Sequence, residues 1–173
     1  MIVLLGGDER GVGKTALVCA VIAQFPRMPW TAVKVSPNDD DMIYMHQERE
    51  ASGESATGRM LAAGAASAFL MGASAQRLGD LAQMLSHMAQ GSALIVESTA
   101  LRAHLEPDLF LCVMEQKAPH KTSLQQHWKL ADVLFTRGHA WETEQPVFQM
   151  DVEHGMAVLN GEAKKFLAER IIK

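Results

Sequence analysis

Cysteine is nearly missing from this chain: Cys19 and Cys112 are the only two among 173 residues, and neither has a partner cysteine nearby in the sequence. That excludes a disulfide framework and a cysteine-built metal site, and both thiols are expected to be buried and free. Basic residues are outnumbered, 16 Lys and Arg against 20 Asp and Glu for a net charge of −4, and they form no cluster along the chain. A general attraction to nucleic acid is thereby excluded. No apolar run approaches the ~18 residues needed to cross a bilayer, so no membrane partner is expected. The seven histidines, at His46, His87, His104, His120, His127, His139 and His154, include no His-x-x-x-His pair that would set two ligands on one helical face. They read as surface or locally satisfied side chains. With 48% hydrophobic and 21% charged residues the chain has the composition of an ordinary globular protein, long enough for one domain with a sizeable core. Met1 leads straight into an apolar run, which leads us to expect a cytoplasmic protein without a leader.

What is present is concentrated at the start. Ile2 to Leu5 is a short, almost wholly apolar run, as in a parallel strand buried on both faces. A glycine-rich turn follows, with Gly6, Gly7, Gly11 and Gly13, and then Lys14, Thr15 and an apolar helix-forming run from Ala16 to Ala23. Glycines let consecutive amides turn inward into a concave anion nest, and the dipole of the following helix points at the same anion. The order strand, glycine turn, Lys-Thr and helix reads as a nucleotide-phosphate loop. Asp8, Glu9 and Arg10, then Gly11, Val12 and Gly13, and finally Lys14, Thr15 and Ala16 are the expected contacts of that loop. Lys14 would reach the β- and γ-phosphates and Thr15 would ligate Mg²⁺. The spacing is Gly7-x5-Gly13-Lys14-Thr15, one residue longer than the commonest form, with Asp8 where a glycine is usual. It resembles the loop of dethiobiotin synthetases. Glu9 stands where partitioning and site-selection ATPases carry a second lysine, which sets the chain apart from them.

Downstream, the pattern alternates. Strands are expected at Thr31–Val35, Ala65–Met71, Ala93–Val96, Leu109–Val113, Ala131–Phe135 and Pro146–Met150. Helices are expected at 59–63, stopped by Gly64, and at 76–90, stopped by Gly91, then at 123–129 and 161–172. Strands alternating with helices imply a three-layer α/β/α phosphate-loop NTPase domain over residues 1–173, with a mainly parallel sheet of about six or seven strands.

Within that frame several residues stand out. Lys34 is either an edge or solvent-facing lysine, or reaches over the carboxyl end of its strand toward phosphate or substrate. The polar stretch Ser36–Thr57 reads as a long loop carrying Asp39, Asp40 and Asp41, which supply a magnesium ligand or a water-orienting group, or else form a solvated acidic turn. Glu97 ends an apolar strand where a metal-binding carboxylate belongs in an open α/β sheet, though a strand-end glutamate also caps helices. Thr136-Arg137-Gly138-His139 occupies the strand end where guanine-specific loops place Asn-Lys-x-Asp, and is not that motif, so the choice between GTP and ATP stays open.

Taken together, the loop through Gly13-Lys14-Thr15, the strand with Lys34, the stretch ESATGRMLAAGA at 54–65 and the strand ending in Glu97 resemble the molybdopterin-guanine dinucleotide biosynthesis protein B family. These pieces span about the first hundred residues. The resemblance implies GTP binding, a homodimer, and a cofactor-biosynthesis enzyme as partner, with Arg59 as a partner contact. Two functions follow. One is a Mg²⁺-dependent nucleoside triphosphatase or phosphotransferase, or a ligase similar to dethiobiotin synthetase, in which Lys14 stabilises phosphoryl charge, Thr15 and Glu97 hold the metal, and Asp39 to Asp41 orient water or acceptor. The other is a nucleotide-binding adaptor with weak hydrolysis. A third reading is a decayed loop, in which the Asp8 carboxylate repels phosphate.

Overall fold

The computed structural model describes residues 1–8, 11–115, 122–138 and 142–172. Strand β1 (Ile2–Gly7) is buried along its whole length. Its side chains alternate between two cores: Val3 and Leu5 face one, Ile2 and Leu4 the other. Burial on both faces is what an unbroken apolar run can satisfy only in the middle of a sheet covered by helices on each side. The first core is closed by α1 (Lys14–Gln24), α2 (Ala56–Ala62) and α5 (Gly161–Ile171) through Leu17, Val21, Met60 and Leu167. The second is closed by α3 (Leu78–Met88) and α4 (Thr122–His127) through Leu81, Leu85 and Leu124. At roughly 1.5–3 kcal/mol per fully buried Leu, Val or Phe side chain, these two cores supply the main driving force for folding.

The remaining strands are β2 (Trp30–Pro37), β3 (Tyr44–Glu48), β4 (Ser67–Ala73), β5 (Ala93–Glu97), β6 (Leu109–Met114), β7 (Val133–Thr136), β8 (Val147–Glu153) and β9 (Met156–Leu159). They form a nine-stranded sheet in the order β3-β4-β2-β5-β1-β6-β7-β8-β9. From β4 to β8 every neighbour is parallel, and only the edge strands β3 and β9 run antiparallel. The expected architecture is therefore present, with nine strands in place of six or seven. β3 lies inside the stretch read as loop: Tyr44, Met45, His46 and Gln47 are all exposed, so it has no buried face to produce alternation. β9 is four residues long and turns back from β8 at His154-Gly155, both with positive φ (49° and 80°), the backbone a two-residue hairpin turn requires.

Helix limits shift for local reasons. α2 begins at Ala56 because the Ser55 side chain caps it, accepting from the Gly58 amide at 2.8 Å. Its expected stop at Gly64 holds, with φ +108° and the Ala65 amide donating back to the Met60 carbonyl at 3.1 Å. α3 starts at Leu78 after a 3-10 turn over Ala75–Arg77, and the 3-10 turn Trp128–Leu130 continues from α4. Cys19 and Cys112 are free and buried. No helix among the described residues is long and apolar enough to cross a membrane.

Candidate functional site

The connection from β5 to β6 crosses β1, so the strand order reverses there and a crevice opens at the carboxyl ends of the strands. A cavity of about 1040 Å³ occupies it. Gly11, Gly13, Lys14, Thr15 and Ala16 line its base. The backbone geometry is that of an anion nest: Gly11 and Gly13 have φ of +85° and +109°. Gly13 directly precedes α1, whose first-turn amides have no intrahelical partner. Gly7 is required by space, since a Cβ there would lie 2.8 Å from the Val113 carbonyl oxygen and 2.9 Å from Lys14 Cγ. Thr99, which the sequence reading passed over, fastens the start of the loop: its hydroxyl accepts from the Gly7 amide at 3.0 Å and donates to the Gly7 carbonyl at 2.9 Å.

Lys14 Nζ donates to the Asp8 carbonyl at 3.4 Å, so the ammonium sits over the loop. Asp8 itself is buried, donates its amide to Val113 and is absent from the cavity lining, so its carboxylate does not form the cavity wall. Val12 turns its side chain into the first core and offers the site only backbone. Glu9 and Arg10 lie outside the described residues.

Beside the loop, α1, β5 and β2 bring three side chains together, Thr15, Glu97 and Lys34. Lys34 and Glu97 are register partners on adjacent strands. Glu97, 4% exposed, accepts from Thr15 Oγ1 at 2.7 Å through Oε2 and from Lys34 Nζ at 2.5 Å through Oε1. β2 lies inside the sheet, so Lys34 is not an edge lysine; it reaches over the strand end into the cavity. The hydroxyl and carboxylate of Thr15 and Glu97 are hard oxygen donors of the kind Mg²⁺ takes, and the pair fits that ion. Among the described residues no group of three or more His, Cys, Asp or Glu could hold a metal by itself, so any such ion would share its coordination with phosphate oxygens and water.

Of the acidic run, only Asp39 lines the cavity; Asp40 and Asp41 are exposed and point elsewhere on the β2–β3 turn, where the Asp40 amide bonds Asn38 Oδ1 at 3.1 Å. Arg59 of α2 also lines the cavity, and its guanidinium donates to the Gly155 carbonyl at the β8–β9 turn. Arg137 enters from the end of β7. Among the described residues the lining carries four cations, Lys14, Lys34, Arg59 and Arg137, against the two carboxylates Asp39 and Glu97, in a chain of net charge −4. A cationic crevice on an anionic protein focuses field on an anionic ligand. The sequence scattered these residues over a hundred positions; the one signal for Arg137 was its place at a strand's carboxyl end.

Neither thiol takes part in this chemistry. Burial pushes Cys19 up to about 11, against a smaller opposing effect of the Arg59 charge, and raises Cys112 further still.

No protein-family model matches the chain, and no curated protein sequence is similar to it. Among solved structures, the apo form of LpxK from Aquifex aeolicus in complex with ATP is similar in fold, with a TM-score of 0.58 at 14% identity. The match covers 87% of this chain and 53% of LpxK, so the chain spans about half the length of that protein. The likeness and the sheet order together establish a phosphate-loop NTPase fold, a three-layer α/β/α domain.

Proposed function

We propose that this protein binds a nucleoside triphosphate together with Mg²⁺ and hydrolyses it slowly. The observation that carries the reading is the Thr15–Glu97 hydrogen bond beside a glycine nest that lines a cationic cavity. The loop amides and Lys14 would bind phosphate oxygens, with Lys14 adding charge where negative charge develops. Thr15 and Glu97 would hold Mg²⁺, which when bound neutralises charge on the phosphates. Slow turnover follows from what surrounds that centre: Glu97 is already committed to Thr15 and Lys34, and Asp39, the one other carboxylate of the lining among the described residues, is exposed on a turn. A weak hydrolase of this kind suits an adaptor that carries or reports nucleotide to a partner enzyme, as the resemblance to the molybdopterin-guanine dinucleotide biosynthesis protein B family implies; GTP, a homodimer and a cofactor-biosynthesis partner belong to that version.

A second reading, an ATP-dependent phosphotransferase or ligase, is favoured by one observation. The cavity runs on past the loop to Lys34, Ser36, Asn38, Asp39 and Arg59, and its 1040 Å³ is at the upper end of what one ligand fills. There Asp39 would orient an acceptor. Phosphate release by the purified protein with Mg²⁺ and either nucleotide separates the readings. Slow release, unchanged by Asp40→Asn or Asp41→Asn and lowered by Asp39→Asn, supports a hydrolytic centre as described. Release equal in Asp39→Asn and wild type would remove Asp39 from it.

A further inference from the structure

Arg137 immediately follows β7, two strands from β1 at the carboxyl edge of the sheet. Its backbone is held in place by its amide, which donates to the Met114 carbonyl at 3.4 Å, and Gly138 directly after it has a φ of +79°. From there the half-buried side chain runs along the cavity wall to the phosphate loop. Its Cδ lies 3.9 Å from the point a Cβ on Gly13 would occupy.

Among the described residues the other cations of the cavity are engaged: Lys14 with the Asp8 carbonyl, Lys34 with Glu97, and Arg59 with the Gly155 carbonyl. Arg137 differs. Among the described residues its guanidinium has neither a hydrogen-bond acceptor nor an ion-pair partner. The preceding Thr136 is fully buried, and its hydroxyl is also without a partner. A guanidinium stays charged at any physiological pH and presents five donors in a planar fork. Held half-buried beside an anion nest with no acceptor, it calls for a ligand with several anionic oxygens.

We infer that Arg137 is a phosphate-binding residue supplied in cis, contacting the phosphate chain of a nucleotide seated on the loop from the β7 side, across β1 from Lys34 on β2. The inference rests on the phosphate-loop reading above and adds to it the residue that completes the charge around the phosphates. It also gives the Thr136-Arg137-Gly138 strand end a role in phosphate binding where other loops use that position to read the base.

Calorimetric titration tests it, with MgATP, MgGTP and the unphosphorylated nucleosides added to the wild-type protein and to the Lys14→Ala, Arg137→Ala and Arg137→Lys variants. Arg137→Ala is expected to weaken triphosphate binding roughly 10- to 100-fold, the worth of a charge-assisted hydrogen bond. Arg137→Lys is expected to recover part of that loss, since it restores the charge without the fork. Log affinity in Arg137→Ala is expected to fall less steeply with log salt. Wild-type binding that Lys14→Ala abolishes and Arg137→Ala leaves unmoved would overturn this inference alone. So would an equal loss for the bare nucleosides, which would put Arg137 on the base. No wild-type binding of either triphosphate would overturn the phosphate-loop reading together with it. An unchanged thermal midpoint of ligand-free Arg137→Ala guards against a folding defect, and a lowered one, with binding restored in Arg137→Lys, would still support the contact.

Discussion

Removing either half of the Lys34–Glu97 pair should cost different amounts, and the difference can be worked from burial. Breaking a buried ion pair by deleting one partner costs about 3–5 kcal/mol, because the other charge is left uncompensated. Glu97 is 4% exposed and Lys34 28%, so water can reach the ammonium and barely reaches the carboxylate. Glu97→Gln keeps a group that can accept from Thr15 and strands only the more exposed lysine; screening brings that loss to roughly 1–2 kcal/mol. Lys34→Met leaves a buried carboxylate with Thr15 alone, and should cost about 2–4 kcal/mol. The double variant Lys34→Met with Glu97→Gln leaves no stranded charge and should be more stable than Lys34→Met by about 1–2 kcal/mol. Urea unfolding of the four proteins without nucleotide measures this directly. A second arm adds Mg²⁺ with nucleotide: Lys34→Met should gain more stability from it than the wild type, since Glu97 then has no competing ammonium. Additive losses, or a Glu97→Gln variant less stable than Lys34→Met, would refute the claim that Glu97 is a buried charge held by Lys34.

Three further outcomes follow. Gly13→Ala should destabilise the protein by about 1–2 kcal/mol through its φ of +109° and should lose nucleotide affinity; Met150 Cε, 2.8 Å from the new Cβ, is a flexible end and can move aside. A variant of wild-type affinity would argue against the nest. Cys19, raised to about 11 by burial, should be almost unreactive toward an alkylating reagent at neutral pH in the folded protein and reactive once unfolded in urea; rapid native labelling would show that α1 opens. Glu48 is held down to about 2, first by the Ser55 hydroxyl and then by the Glu50 amide and the Thr57 hydroxyl. Its folded value is below its ordinary 4.5, so this contribution is present above that pH and is lost as pH falls toward about 2. Glu48→Gln should flatten acid unfolding across that window, and an unchanged acid profile would show that the Ser55 and Thr57 hydroxyls do not hold the Glu48 carboxyl down.

The central strands and the phosphate loop were legible because each is a local pattern: a run of apolar residues must be buried on both faces, and a glycine nest before Lys14-Thr15 has few other uses. The pairing of Lys34 with Glu97 was not, since it depends on β2 and β5 becoming neighbours although 63 residues apart in the chain. β3 escaped because an exposed edge strand carries no alternation, and its one packing signature, the Tyr44 ring lying over Gly72, is visible only across the pair. Thr99 gave no signal in the sequence, because its role depends on its hydroxyl meeting both polar groups of Gly7, 92 residues away. Asp39, Asp40 and Asp41 were indistinguishable in sequence; the β2–β3 turn separates them by turning only the first into the cavity.

The most direct test of the whole account is calorimetric titration of ATP and of GTP into the protein with Mg²⁺, with Lys14→Ala as control. Saturable binding of at least one triphosphate is expected, weakened at least roughly tenfold by the loss of Lys14. Equal binding by Lys14→Ala, or no binding of either nucleotide by the wild type, would contradict it.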